Sequence, residues 1–220
     1  ATMGSRYLKA IVPQVIGSNL HEAPHYQGGT FQLGLNISWS FRVDGHTRPQ
    51  PIDLYNWEQL FQTLPLKDIP KVGGKDIPHY QDWLAHPDYD DYWKALAIDE
   101  QYEKVKIPVL QIGGWYDIFA EGVLNNFIGM RARGGSELAR NNQRVIMGPW
   151  IHSVSTMTHA GEVDFGMESL LDLKEVELQW FDRWLKNIPN DADKEAPVRI
   201  FIMGINEWRD ENEWPLARTQ

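Results

Sequence analysis

The chain has no cysteine among its 220 residues. This absence excludes a disulfide framework, a thiolate nucleophile and a cysteine-ligated metal. The net charge is −9 and no cluster of lysine and arginine appears, whereas nucleic-acid binding needs clustered cations to neutralise phosphates. No apolar run approaches the ~20 residues that span a bilayer. We therefore expect a protein that binds neither nucleic acid nor membrane.

The sequence also lacks the basic-then-apolar pattern of a signal peptide. This favours the cytoplasm, although the cysteine content suits a reducing and an oxidising compartment equally. What is present is ordinary globular composition, with 42% hydrophobic and 23% charged residues. The length allows one large domain or two smaller ones, since domains run about 100–200 residues.

Two short segments carry the chemistry. Residues 112–117 read Ile-Gly-Gly-Trp-Tyr-Asp, and residues 145–152 read Val-Ile-Met-Gly-Pro-Trp-Ile-His. Each is an apolar strand-like run that stops at a glycine loop and presents one ionisable residue, first Asp117 and then His152. In an α/β-hydrolase triad the acid likewise precedes the histidine. If the strands are neighbours, a carboxylate can accept the imidazole Nδ1–H and leave Nε2 free as a base.

Each residue also has a structural interpretation. Asp117 suits the N-cap of a helix beginning near Phe119, and an isolated histidine such as His152 is most often a satisfied structural residue. The repetition of the strand-loop-ionisable unit favours the catalytic interpretation for both. His21 and His25 have metal-like spacing, but Pro24 breaks any helix between them, so we predict no metal site.

The remaining pattern predicts a partial parallel sheet interrupted by an insertion. Residues 7–13, 107–112 and 144–147 read as strands, and residues 119–128 and 167–186 as helices. The second helix is apolar enough to be sandwiched between layers. Between them we predict an inserted lid with helices at 31–41 and 57–64 and an irregular connector at 67–78. A final strand at 198–203 is expected to open a further β domain, because a lone strand cannot bury its faces.

The nucleophile of a triad is missing from the sequence. No serine occupies a G-x-S-x-G elbow, and Ser153 follows the acid when it should precede it. Three strands alone would also leave unpaired edges. We therefore expect the chain to be an internal piece of a longer protein.

Six ordered motifs resemble those of the cocaine-esterase-like acyl esterases, which are grouped with X-prolyl dipeptidyl-peptidases, α-amino-acid ester hydrolases and glutaryl acylases. The resemblance covers nearly the whole chain. It rests on residues 8–13, 86–93, 114–119, 148–153, 181–185 and 201–209.

The resemblance implies an α/β-hydrolase core at 1–19 and 101–190, a helical cap at 20–100, and a linker with the start of a C-terminal jelly-roll-like β domain at 191–220. Asp117 and His152 would be the triad acid and base, with the nucleophilic serine and the oxyanion donors upstream of Ala1. The aromatic residues implied to bind substrate are Phe119, Trp39, Trp115 and Tyr116. The family pattern has Trp where this chain has His25, so the acyl preference does not carry over.

The sequence thus predicts part of a serine hydrolase that cleaves small-molecule esters or amides without a cofactor. The bond class, the substrate and homo-oligomer formation are left open. Three alternatives remain. The chain could be an inactive binding or structural piece, or part of an X-prolyl dipeptidyl-peptidase, α-amino-acid ester hydrolase or acylase. It could also belong to a dehalogenase-like hydrolase with an aspartate at the elbow.

Overall fold

The computed structural model describes residues 1–44 and 51–219 and separates into two compact units. Asn19–Leu96 forms one, here called the helical unit; Ala1–Ser18 with Ala97–Gln220 forms the other, the sheet unit. Residues 45–50 of the predicted cap lie outside the described residues.

The helical unit begins with a distorted helical turn at His21–His25 and an antiparallel β1–β2 hairpin, followed by helices around one core. Ile37 and Phe41 lie one turn apart on the first helix and are buried against Leu60, Ile69 and Tyr80. The elements are β1 Tyr26–Gln27, β2 Thr30–Phe31, α1 Leu33–Val43, α2 Trp57–Phe61, α3 Ile69–Val72, α4 Pro78–Ala85 and α5 Asp91–Lys94.

The predicted lid helices are confirmed in kind, but their boundaries differ. The first begins at Leu33, because Phe31 belongs to the hairpin, and the second ends at Phe61, ahead of the Leu64–Pro65 bond. The predicted irregular connector at 67–78 is wrong in part, since it contains α3. Ile69 is fully buried there, and Pro70 is tolerated because it occupies the first helical turn.

The sheet unit contains a four-stranded sheet in the order β3-β4-β7-β8. The first three strands are parallel and β8 is antiparallel to β7. Every residue of β3 and β4 is buried, as expected for strands covered on both faces. The elements are β3 Val109–Gly114, α6 Ala120–Arg133, α7 Glu137–Asn141, β4 Gln143–Gly148, β5 His159–Ala160, β6 Val163–Asp164, α8 Leu173–Lys186, β7 Val198–Ile202 and β8 Glu207–Glu211.

Alternate residues of β4 pack on opposite faces of the sheet. Val145 and Met147 join a core with Val123 of α6, whereas Ile146 joins a core with Trp180 of α8. The sheet therefore lies between α6 and α8. This confirms the predicted α/β class with a parallel sheet.

The segment predicted as the first strand does not form a regular strand. It runs parallel to β3 through two isolated bridges, at Ile11 and Gln14. Pro13 has no N–H to donate and Val15 has a φ of 44°, so the regular ladder is interrupted.

The strand predicted to open a separate β domain is instead part of this sheet. Val198, Arg199 and Ile200 pair with β4, and the whole of β7 pairs with β8. The strand joins the sheet by pairing on one side with β4, which is distant in sequence, and on the other with β8, which directly follows it. A jelly-roll-like domain stays a prediction.

The long helix also differs from expectation. It begins at Leu173, where Asp172 caps the backbone N–H of Glu175, and Met167–Ser169 forms a separate 3₁₀ turn. The side chains of Leu178 and Leu185 are 51% and 54% exposed. Within the described residues the helix therefore packs on one face only, and the predicted sandwich is not observed.

Candidate active site

The carboxyl ends of β3 and β4 place the two predicted residues side by side. These strands pair in register, with Gly113 opposite Met147 and Gly114 opposite Gly148. The segments that follow the two strands therefore leave the sheet at the same edge, where sites assemble in open α/β sheets. The acid loop (residues 115–119) carries Asp117, and the histidine loop (residues 149–153) carries His152.

Asp117 and His152 form a direct hydrogen bond. Asp117 Oδ2 lies 2.7 Å from His152 Nδ1. The Asp117 side chain is only 1% exposed, whereas that of His152 is 62% exposed. A buried carboxylate that binds Nδ1–H fixes the imidazole tautomer and leaves the lone pair on Nε2 available to accept a proton.

The other carboxylate oxygen of Asp117 accepts a hydrogen bond from the backbone. Phe119 N–H donates to Oδ1 at 2.8 Å, directly ahead of α6. The two hydrogen bonds together restrict rotation of the carboxylate. The predicted N-cap role is not observed, because Phe119 is the N-cap residue of α6 and the Asp117 bond closes the turn ahead of it. The role of Asp117 as a triad acid stays a prediction.

Two glycines let the loops cross closely. A Cβ on Gly114 would lie 2.1 Å from the Trp150 carbonyl oxygen, and one on Gly148 would lie 2.3 Å from the Trp150 ring. Two main-chain hydrogen bonds hold the crossing: Trp115 N–H to Gly148 O at 2.9 Å, and Tyr116 N–H to Trp150 O at 3.0 Å. Within the acid-loop segment, Asp117 N–H donates to Gly114 O at 3.1 Å.

The aromatic residues implied to bind substrate are in different environments. Phe119 lies beside the pair, with its ring centroid 5.8 Å from that of His152. Tyr116 is half exposed and contacts Phe165. Trp39 is half exposed on α1 of the helical unit. Its predicted contact with substrate stays a prediction.

Trp115 is partly buried and packs against the core of the sheet unit. Its indole N–H donates to Phe201 O at 3.0 Å, and its ring packs on Trp214. This residue therefore has a structural role that the family resemblance did not indicate. The reason is the unpredicted position of β7, which supplies the acceptor.

The weaker histidines have partners of their own. His21 Nε2 lies 2.9 Å from Pro87 O, and His25 Nδ1 lies 2.5 Å from Asn36 Oδ1. Burial lowers the pKa of His25 to about 4, with smaller lowering from His21 and His79 and an opposing contribution from the Asn36 hydrogen bond. No group of three or more potential metal ligands occurs in ranges 1–44 and 51–219.

Trp150 is the site residue that sequence reasoning missed. Its ring is 1% exposed and its carbonyl meets the acid loop. The two strand-terminal glycines were the available signal, because glycine in a strand often marks the close approach of another backbone.

A largely parallel sheet with helices on both faces, and an acid–histidine pair at its carboxyl edge, defines an α/β protein. Residues 1–154 match the X-Pro dipeptidyl-peptidase (S15) family. The chain belongs to this family, which confirms the resemblance seen in its motifs.

Similar proteins include an esterase and a peptidase. The cocaine esterase of Rhodococcus sp. (strain MB1 Bresler) is 30% identical over the entire chain, which spans 40% of that relative's length. An aminopeptidase structure from a marine sediment Thaumarchaeota archaeon matches with a TM-score of 0.77 and 18% identity, over 97% of this chain and 36% of that one. A CocE/NonD family hydrolase structure from Staphylococcus aureus gives a TM-score of 0.58 and 17% identity, over 98% and 32%. Both structures share the fold.

No helix within ranges 1–44 and 51–219 combines the length and the apolarity needed to cross a membrane.

Proposed function

We propose that the chain supplies the acid and the base of a serine hydrolase that cleaves carboxylic esters or amides through an acyl-enzyme. The observation that carries this proposal is the bond between buried Asp117 and exposed His152 at the carboxyl edge of the sheet. Membership of a family that is named for a peptidase, together with a similar cocaine esterase, supports hydrolysis as the reaction class.

His152 Nε2 removes the proton of a serine hydroxyl as that oxygen attacks the substrate carbonyl carbon. The imidazolium, stabilised by Asp117, then gives the proton to the departing alcohol or amine. Water next attacks the acyl-serine with His152 again as base, and the serine proton returns as the acid product leaves.

We propose that the serine lies in a segment that precedes residue 1. The α/β-hydrolase order is nucleophile, acid, base, and these 220 residues contain the last two without a G-x-S-x-G elbow. The chain also spans only 40% of the cocaine esterase that it resembles. In this proposal the chain alone is inactive.

Phe119 is proposed as an apolar wall for the acyl group. Its ring lies next to His152, and an aromatic surface binds an apolar group by removing it from water. Because the similar proteins include an esterase and an aminopeptidase, the proposal covers both esters and amides.

Fluorophosphonate labelling tests the proposal, because the probe reacts with activated serines. We expect no label on the 220-residue chain, and rapid labelling of a longer natural form that includes the preceding residues. His152→Ala in that form should slow labelling strongly. Labelling of the short chain, or unchanged labelling of His152→Ala, would contradict the assignment.

A further inference from the structure

Trp150 connects the two loops of the site to the interior of the sheet unit. We propose that Trp150 is a positioning residue: it holds Asp117 and His152 in hydrogen-bonding geometry and transmits to them the position of the β7–β8 hairpin. The effect of this positioning role on turnover rests on the proposed function, whereas its effect on the Asp117–His152 bond does not.

The side chain of Trp150 is held by residues outside the two loops. It is 1% exposed, and its indole N–H donates to Ser169 O at 3.0 Å. Its ring lies 5.5 Å from that of Trp208 on β8. Trp208 in turn donates its indole N–H to Glu168 O at 2.8 Å. The ring is therefore held by the hairpin and by the turn that precedes α8.

The backbone of Trp150 is fixed from the acid-loop side. Its carbonyl accepts the Tyr116 N–H at 3.0 Å, directly before Asp117 in sequence. The same carbonyl occupies the space that a side chain at position 114 would fill, and the Trp150 ring covers Gly148. Trp150 thus contacts both loops at the points where they leave the sheet.

Through these contacts Trp150 links the acid loop to the histidine loop. His152 lies just beyond it on the histidine loop, and Asp117 just beyond its partner Tyr116 on the acid loop. A displacement of the anchored Trp150 side chain would shift its backbone and carbonyl, and so move the two loops relative to each other. The 2.7 Å bond between Asp117 and His152 tolerates little such movement.

Trp115 supports the same arrangement from the other loop. Its indole N–H binds Phe201 O on β7, so each loop has one tryptophan whose N–H is held by a backbone carbonyl of the sheet unit. The hairpin that sequence analysis assigned to another domain is therefore linked to the site through both tryptophans.

Trp150→Phe tests this proposal, because it keeps an aromatic ring but removes the N–H that binds Ser169 O together with part of the indole ring system. The matched control is Trp93→Phe in the helical unit, where an equally buried tryptophan donates its N–H to His86 O at 2.8 Å. The readout is the ¹⁵N NMR signature of neutral His152 in the 220-residue chain, which distinguishes Nδ1–H from Nε2–H.

We expect Nδ1–H in the wild type and in Trp93→Phe, and a shift toward Nε2–H in Trp150→Phe. In a longer, active form, Trp150→Phe should lower kcat about 10–100-fold with little change in KM, as expected for a misplaced catalytic group. If Trp150→Phe does not fold, Trp208→Leu removes the ring contact and should shift the signature in the same direction.

An unshifted His152 signature in a folded Trp150→Phe, or in Trp208→Leu where that variant is used, would overturn the proposal, as would an equal shift in Trp93→Phe. A shifted signature combined with no activity in any longer form would leave the positioning role standing and remove the proposed function.

Discussion

Asp117 uses its two carboxylate oxygens for different partners: Oδ2 lies 2.7 Å from His152 Nδ1, and Oδ1 accepts the Phe119 N–H at 2.8 Å. One side chain therefore binds both the histidine and the residue that directly precedes helix α6. The helical unit contains the same arrangement, since Asp90 Oδ2 lies 2.6 Å from His86 Nδ1 while Oδ1 accepts the Tyr92 N–H at 3.0 Å. The second pair provides a matched control for the first.

Asp117→Asn should lower kcat about 10⁴-fold in an active form of the protein. An amide nitrogen facing His152 would force Nδ1 to accept a hydrogen bond, which places the proton on Nε2 and removes the base. Steady-state kinetics on a chromogenic ester measures the loss. Asp90→Asn makes the same chemical change and should alter kcat less than about 3-fold. Equal losses in the two variants would refute a specific role for Asp117.

Gly114→Ala should destabilise the sheet unit by about 1–3 kcal/mol, because the added methyl group meets a backbone carbonyl that cannot rotate away. Gly34→Ala is the control. Gly34 lies in the first turn of α1 with open space around its Cα, so alanine should stabilise the helical unit by about 0.5–1 kcal/mol. Urea unfolding followed by NMR signals of each unit gives both values. A neutral Gly114→Ala would show that the loops do not need this close crossing.

The stability of the helical unit should fall as pH drops from 6.5 toward 4. Burial lowers the pKa of His25 from 6.5 to about 4, so between these values the unfolded chain binds a proton that the folded unit excludes. The contribution of neutral His25 to the unfolding free energy is fully present above pH 6.5. It declines by roughly 3 kcal/mol as the pH falls from 6.5 to about 4.

His25→Gln isolates this effect from the carboxylates that titrate at similar pH. The difference in unfolding free energy between pH 7 and pH 4.5, measured by urea unfolding of the helical unit, should be smaller in the variant than in the wild type. The same difference in both proteins would contradict a neutral, buried His25.

The predictable parts of the site are local in sequence. A buried strand, a glycine loop and one ionisable residue lie within about eight residues of each other, in line with the strand lengths typical of parallel sheets. Because β3 and β4 are neighbours in the sheet, the meeting of Asp117 with His152 followed from the patterns of two separate segments.

The features that sequence could not supply depend on distant pairing. Val198–Ile202 carries no mark of its partner β4, so its place in the sheet was missed, and with it the acceptor that Phe201 offers to Trp115. Apolar residues on α8 indicated burial all round, yet half-exposed Leu178 and Leu185 show that hydrophobicity alone does not reveal which face is covered.

The most direct test of the central claim is the kcat/KM of His152→Ala in an active form of the protein, with His86→Ala as the control for removing an aspartate-bound histidine. If His152 is the base, its loss lowers kcat/KM about 10⁴-fold or more and leaves the fold intact, while His86→Ala stays within about 3-fold of wild type. A folded His152→Ala variant with near-wild-type turnover would contradict the account.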